Sequence, residues 1–283
     1  MMRNSRTDLA SEAAELCRAQ SGVPDGLLVR RESVGGMPLL SVEIRAEEAS
    51  RRLGKPLGRY HTLDIEAHVR RASPSFADAS GAVAELIRRC GVPGKDDAVL
   101  VAALGNPDIT PDALGPLCAS SVLVTRHLRV SGGELWSGFA PVGLVRPGVL
   151  GTAGIESAEQ IRAICAAVRP ALVIVVDALA GADPSRLCRS IQVCDSGISP
   201  GSGVCNDRSR IDRALLGVPV TAIGVPTVAD ASALCEEGCA EGLFVTPRDI
   251  DSSVRDCARI IAYGINLALH EGLSVEEIDA LVG

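Results

Sequence analysis

Short apolar runs alternate with amphipathic segments along most of this chain. Residues 98–104 and 172–176 are uninterrupted apolar stretches that end at Gly105 and Asp177. Runs of this kind predict strands that are buried on both faces of a sheet. Residues 253–270 repeat apolar positions at the helical period, which predicts a long amphipathic helix. The alternation predicts an α/β fold: a doubly wound, mixed or mostly parallel sheet with helices on both faces.

Weaker periodicity predicts the remaining elements. A helix is expected from about Pro111, with Thr110 as its N-cap, and another from Ser157 to Val168, where Ser157 and Gln160 have the spacing of a capping box. We expect residues 131–151 to be loosely ordered. The first 94 residues are expected to be irregular apart from one strand and one helix. That strand is predicted at residues 39–44 and that helix at residues 79–89. Further strands are predicted at residues 121–125, 190–194 and 218–224.

Composition narrows the function. The chain has 283 residues, 47% of them hydrophobic and 22% charged, which suits one globular domain with a sizeable core. A net charge of −7 without a long Lys/Arg cluster argues against nucleic acid as a partner. No apolar stretch is long enough for a membrane span, and the N-terminus lacks the apolar core of a signal peptide. We therefore expect a cytoplasmic protein.

The ten cysteines are then expected to be reduced and to pack as small hydrophobic side chains. Cys235 and Cys239 have helical spacing, but no second Cys or His pair follows that would complete a zinc site. The sequence therefore predicts no structural metal.

Two aspartates carry the most chemical information. Asp112 follows the apolar run 98–104, and Asp177 closes the run 172–176. Open α/β sheets build their sites at the carboxyl ends of such strands, and two carboxylates brought together there can share a proton as an acid/base pair. Each aspartate also has a structural interpretation, Asp112 as a first-turn helix residue and Asp177 as a turn former.

Other residues allow other chemistry. The Gly-rich loop 197–203 could cradle an anion, although it lacks the spacing of known phosphate loops. His127 could orient a carboxylate or bind a metal, and Glu156 and Asp195 are candidates for supporting the aspartate pair. Ser202, His127 and Asp177 could form a catalytic triad, but the sequence around Ser202 lacks the nucleophile-elbow motif that would support this.

Motifs along nearly the whole chain resemble those of the spore germination protease family. The two central ones are Thr110-Pro111-Asp112-Ala113-Leu114-Gly115-Pro116 and Val176-Asp177-Ala178-Leu179-Ala180. The other matching stretches are residues 6–10, 58–60, 105–106, 123–128, 146–151, 154–156, 191–192, 195–198, 200–204 and 217–228.

The resemblance implies an aspartate-dependent endopeptidase that cuts small acid-soluble spore proteins at germination, in the spore core or forespore. It places the two catalytic aspartates at Asp112 and Asp177, and it implies no cofactor and no metal. It also implies that the protein is synthesised as a zymogen and assembles as a homotetramer. The implied fold is like that of hydrogenase-maturation endopeptidases. This chain departs from longer family members by trimming in the C-terminal third, by the additional acid Asp108 and by Cys205.

The N-terminus contains a segment like the family's substrates, Thr7-Asp8-Leu9-Ala10-Ser11-Glu12, with an acid before the expected cut and a branched residue after it. We expect self-processing between Asp8 and Leu9, which makes residues 1–8 a propeptide and residues 9–283 a single peptidase domain. The structural alternative is a helix that begins with Thr7 as its N-cap.

Three rival functions remain open at this point. A metal-dependent peptidase on the same fold would use Asp112, Asp177 and His127 as ligands. A phosphorylase-like enzyme would use the Gly-rich loop for phosphate. A catalytically silent chaperone would bind spore proteins without cutting them.

Overall fold

One nine-stranded mixed sheet forms the centre of the protein in a computed structural model, which describes residues 7–65, 69–131, 133–201, 209–231, 234 and 243–282. The strand order is β1-β2-β3-β7-β8-β6-β4-β5, and β9 pairs with β8. The predicted mixed α/β sheet is thus confirmed. The strands are β1 Leu27–Val34, β2 Met37–Ile44, β3 Gly58–Asp64, β4 Val99–Ala103, β5 Val142–Val145, β6 Leu172–Gly181, β7 Ser190–Cys194, β8 Val220–Asp230 and β9 Phe244–Val245.

Helices connect the strands and cover both faces of the sheet. They are α1 Ala10–Ser21, α2 Glu47–Leu53, α3 Phe76–Cys90, α4 Leu114–Ala119, α5 Arg126–Ser131, α6 Leu150–Ala153, α7 Ser157–Val168, α8 Arg213–Leu216, α9 Ile250–Leu269 and α10 Val275–Val282. Three short 3-10 helices are η1 Thr110–Asp112, η2 Glu134–Trp136 and η3 Pro184–Arg186.

The parallel half of the sheet consists of β5, β4, β6 and β8. All residues of β4 and nearly all of β6 are buried, because helices cover these strands on both sides. Helices α3, α4 and α9 pack on one face, against Val176 and Ile223. Helix α7 packs on the other, against Val173 and Val175. Side chains alternate along a strand, so Asp177 lies on the α7 face of the sheet.

The antiparallel half, β1 to β3 and β7, corrects the expectation of an irregular N-terminal region. In β1 most side chains are exposed, and charged residues stand on both faces of this edge strand. The strand therefore lacks the apolar alternation on which a sequence-based assignment depends. Helices α1 and α2 cover the face of β2 and β3 that carries Val42 and Tyr60.

The predicted strand at 121–125 is wrong. Val122 and Leu123 are buried, but the backbone N–H of Leu123 donates to the side-chain oxygen of the fully buried Asn266 in α9 rather than to a neighbouring strand (2.9 Å). The edge position beside β4 is taken instead by β5, which lies within the stretch 131–151 that was expected to be loose.

Helix starts also differ from expectation. Pro111 opens only one 3-10 turn, whose N-cap is Ile109 rather than Thr110, and α4 begins at Leu114. Helix α7 has the predicted bounds but no capping box, because the Ser157 hydroxyl donates to the Gly148 carbonyl (3.0 Å).

The cysteines of the described part, seven in number, are free thiols, and all but Cys90 are buried. Cys205, Cys235 and Cys239 lie outside the described residues. Within the described ranges, no helix combines the length and apolarity that crossing a membrane requires.

Candidate functional site

The loop that carries Asp112 is fixed by its own backbone. The Asp112 carboxylate accepts the N–H of Asn106 (2.8 Å), and the Asn106 side chain accepts the N–H of Asp108 (3.0 Å). Gly105 has a φ of +112°, and a Cβ there would lie 1.9 Å from the Asp112 carbonyl oxygen. Only glycine therefore fits at this position after β4, because the backbone of η1 passes directly over it.

Strand pairing brings this loop beside Asp177. Strands β4 and β6 are parallel neighbours, with Ala103 opposite Val176, and the Leu104 N–H donates to the Val176 carbonyl (2.8 Å). The turn η1, which ends at Asp112, packs against β6 and β8. Asp112 therefore lies in the turn that follows β4, and Asp177 lies within β6, the neighbouring parallel strand.

Asp177 lies inside β6 and does not close it. The strand continues to Gly181, and Asp177 is only 5% exposed. Its carboxylate accepts the N–H of Ala178 (3.0 Å). A carboxylate buried this deeply needs polar partners, so the interpretation as a simple turn former is wrong.

A row of residues crosses the sheet at the level of Asp177. Asp177 is opposite Gly224 of β8, and Gly224 is opposite Gln192 of β7. Paired residues place their side chains on the same face, so Asp177 and Gln192 both project toward the α7 side. Leu179, two residues on from Asp177, fills the space over Gly224, where a Cβ would lie 2.5 Å from its Cγ.

The N-terminal segment 7–12 is docked against this part of the sheet. Asp8 pairs with Ala180 in both directions, since its N–H donates to the Ala180 carbonyl (2.8 Å) and its carboxylate accepts the Ala180 N–H (2.9 Å). Leu9 has extended backbone angles, is fully buried and precedes the first turn of α1 as its N-cap. The alternative start of this helix, with Thr7 as N-cap, is wrong.

Glu12 also holds this segment in place. It is 3% exposed, and its carboxylate accepts the N–H groups of Ala182 (2.7 Å) and Asp183 (3.1 Å) as well as the Thr7 hydroxyl. Arg186 lies 3.8 Å away and partly compensates the buried charge. The start of α1 is thereby fastened to the turn that follows β6.

A cavity of about 680 Å³ opens beside the docked segment. Its lining includes Asp8, Lys55, Gln192 and Gly224. Burial lowers the pKa of Lys55, and the negative charge of Asp8 acts in the opposite direction. The cavity thus joins the cationic side chains of Arg52, Lys55 and Arg210 to the acid that precedes the expected cleavage point.

The other acids expected near the pair have different positions. Asp108 is exposed in the loop before η1. Glu156 is half-buried and is the N-cap residue of α7, without a side-chain cap bond. Asp195 follows β7 and accepts the backbone N–H and the side-chain Nε–H of Arg59 (both 2.7 Å), so it fastens the start of β3.

His127 is not part of this site. It is exposed in α5, which follows Thr125, whose backbone pairs with Val142 at the start of β5. Val142 is opposite Val99, the first residue of β4. His127 therefore lies at the amino end of the parallel strands, and the length of β4, about 13 Å, separates that end from the Asp112 loop. Neither the triad nor the metal set that includes His127 is assembled.

No group of three or more His, Cys, Asp or Glu side chains suited to a metal was found in the described ranges. The Gly-rich loop is described only as far as Gly201, so Ser202 and the rest of that loop lie outside the described residues.

Several residues of the site were missed by reasoning from the sequence. Gln192, Glu12 and Asn106 owe their importance to backbone groups that approach from elsewhere in the chain. The signal that could have found Gln192 is a polar side chain in the middle of an apolar strand.

The fold is a mixed α/β sheet in which Asp177 is buried within β6, Asp112 lies in the turn that follows β4, and the N-terminal segment is docked against the end of β6. The sequence profile of the germination protease family matches residues 5–241. The chain belongs to the germination protease family, and it is a peptidase.

Individual relatives agree over almost their full lengths. A germination protease of Caldanaerobacter subterraneus subsp. tengcongensis is 37% identical over 322 aligned positions, which cover 98% of each chain. The germination protease of Clostridium perfringens is 33% identical, and the alignment covers 98% of this chain and 99% of the relative. That of Bacillus subtilis is 31% identical, with coverages of 96% and 95%. Among solved structures, the [NiFe] hydrogenase maturation protease HycI of Thermococcus kodakarensis covers 63% of this chain and 98% of its own, with 18% identity and a TM-score of 0.36, too weak a likeness to bear on the fold.

Proposed function

We propose that this protein is an aspartate-dependent endopeptidase that begins the degradation of small acid-soluble spore proteins during germination, in the spore core. Asp112 and Asp177 form the catalytic pair. The observation that carries the proposal is the burial of Asp177 within β6, next to β4, whose following loop holds Asp112 in a fixed position.

In this mechanism one carboxylate takes a proton from the attacking water while the other, protonated, donates to the carbonyl oxygen of the substrate. The two acids need different environments, because a pair that shares one proton must hold one carboxyl neutral. Asp112 is only half-buried, whereas Asp177 is almost fully enclosed.

The protein is further proposed to be synthesised as a zymogen and to act as a homotetramer. Removal of residues 1–8 by cleavage between Asp8 and Leu9 would give the mature chain. The docking of Asp8 at Ala180, on the strand that carries Asp177, supports this site of cleavage.

The test is incubation of the purified protein with a small acid-soluble spore protein, followed by mass mapping of the fragments. Asp112→Asn and Asp177→Asn should each abolish cleavage, and the double variant should be scarcely worse, since residues of one catalytic unit are not additive. Asp108→Asn, an exposed acid of the same loop, is the matched control and should cut normally. Cleavage that survives either catalytic substitution, or that is lost on chelation and restored by a metal, contradicts the proposal.

A further inference from the structure

The side-chain amide of Gln192 holds the main chain on both sides of Leu9. Its Nε2 donates to the carbonyl oxygen of Asp8 (3.2 Å), and its Oε1 accepts the N–H of Ala10 (2.7 Å). The Asp8 oxygen belongs to the peptide bond between Asp8 and Leu9. The amide of Gln192 therefore contacts the carbonyl of the very bond at which the chain is expected to be cut.

The position of Gln192 relates this contact to the aspartate pair. Gln192 and Asp177 are in register across Gly224, two strands apart and on one face of the sheet. Adjacent strands are about 4.8 Å apart, so roughly 10 Å separate the two Cα atoms. Leu179 occupies the space over Gly224 between them, and the peptide bond between Asp8 and Leu9 lies further along β6, next to Ala180. Gln192 is 6% exposed, and a hydrogen bond in such a buried setting is stronger than one in water.

We propose that Gln192 binds the carbonyl of the scissile peptide bond, during self-cleavage and during cleavage of a protein substrate, and aligns the main chain through the N–H two residues later. This inference rests on the function proposed above. It gives the carbonyl oxygen a second donor beside the protonated carboxyl of the pair, and an amide N–H keeps its proton at every pH at which the protein is folded.

The hydrolysis of the peptide bond shows what a hydrogen-bond donor at the carbonyl oxygen would contribute. Water adds to the carbonyl carbon of Asp8 while one carboxylate accepts a proton from the water, and the electron pair of the C=O bond moves to oxygen. The electron pair on oxygen then re-forms the C=O bond as the C–N bond breaks, the nitrogen of Leu9 takes up a proton from the acid partner, and a carboxylic acid remains on Asp8. A donor aimed at the oxygen stabilises the charge that develops there, and the loss of one such donor typically slows catalysis about 100- to 1,000-fold.

A purely structural role for Gln192, as a fastener of the N-terminal segment, makes a different prediction from a carbonyl-binding role. Gln192→Glu keeps the shape and the acceptor but loses the donor when the carboxyl group is ionised. When that group is protonated its O–H can donate again. The deficit of Gln192→Glu should therefore shrink as the pH falls, whereas that of Gln192→Ala should not.

The experiment follows the appearance of an N-terminus at Leu9 in the full chain, over a series of pH values, as a ratio of variant to wild-type rate. At neutral pH, Gln192→Glu should be slower by roughly 100-fold and should recover toward the wild-type rate in acid. Gln160→Glu is the matched control, because Gln160 also donates to a backbone carbonyl, that of Ile155, but at an exposed site in α7. It should process at the wild-type rate throughout.

Outcomes separate the inference from the proposed function. If the wild type cuts neither its own chain nor a spore protein, the proposed function fails and Gln192 has no such role. If the wild type cuts only the spore protein, the same variants are compared by kcat on that substrate, where the same pH-dependent loss supports the inference. An active wild type with a Gln192→Glu rate within twofold of it, or a deficit that is constant with pH, overturns the inference. Hydrogen exchange at the Ala10 amide in an Asp177→Asn background reports the alignment itself, and it should accelerate in Gln192→Ala.

Discussion

Acid should weaken this fold through one buried histidine. His270, which follows α9 and packs against the ring of Phe139, is 2% exposed. Burial lowers its pKa to about 4 from the ordinary value of 6.5, and the backbone of Leu123 acts in the opposite direction. The unfolded chain therefore takes up a proton near pH 6.5, whereas the folded chain resists it until about pH 4. The stabilisation is complete above pH 6.5 and is lost as the pH falls through this window.

The magnitude follows from the size of the shift. Between pH 8 and pH 5 the loss should be about 2 kcal/mol, and it should approach 3.4 kcal/mol below pH 4, from about 1.36 kcal/mol for each pKa unit. The loss concerns the free energy of unfolding and arises in the unfolded state. No contact in the folded protein has to change.

The assay is urea unfolding of the wild type and of His270→Leu at pH 8 and pH 5, at one fixed protein concentration. The wild type should lose about 2 kcal/mol more than the variant between the two pH values. His61, whose pKa burial also lowers, is present in both proteins and cancels in the difference. Equal losses in the two proteins, or an NMR titration midpoint of His270 near its ordinary value, would refute the reasoning.

Three further outcomes are expected. Gly105→Ala should abolish proteolysis by displacing the Asp112 loop, whereas Gly91→Ala, with the same φ of +112° but open space around it, should keep activity; equal activity of the two would contradict the steric argument. Leu9→Ala should lower the free energy of unfolding by roughly 2–5 kcal/mol in denaturant titrations, because Leu9 is fully buried, and a loss near zero would show that the segment is not docked in solution. Light scattering at micromolar concentration should give a mass well above the 29.3 kDa of one chain, and a clean monomer would exclude a tetramer.

The sequence predicted most of the central strands of the sheet. Strands β4, β6 and β7 and helices α7 and α9 were found because their burial imposes an unbroken apolar run or a helical stripe. Strand β1 was missed because it is an exposed edge strand whose charges hide the period of two. The segment 121–125 was misassigned because an apolar run reports burial, and here the side chain of Asn266 replaces a strand as the hydrogen-bonding partner.

The candidate site was only partly predictable. Asp112 and Asp177 were identified from their places after apolar runs, although Asp177 lies inside its strand. His127 was considered as a partner of the aspartates because it follows residues 121–125, which were predicted to be a strand. Gln192 and Glu12 bind backbone groups about 170 to 180 residues away in the chain, and no local pattern encodes such contacts.

The buried start of α1 has a consequence for how the sequence can change in evolution. Residues 9–12 contribute to the packed interior, and Glu12 also fastens the turn after β6. If cleavage occurs before Leu9, the same four residues also determine whether the precursor matures. A substitution there must therefore preserve both the stability of the fold and the cleavage of the precursor. At the other end of the helix, residues 18–21 are exposed, so substitutions there are less constrained, although Ser21 accepts hydrogen bonds from Arg52.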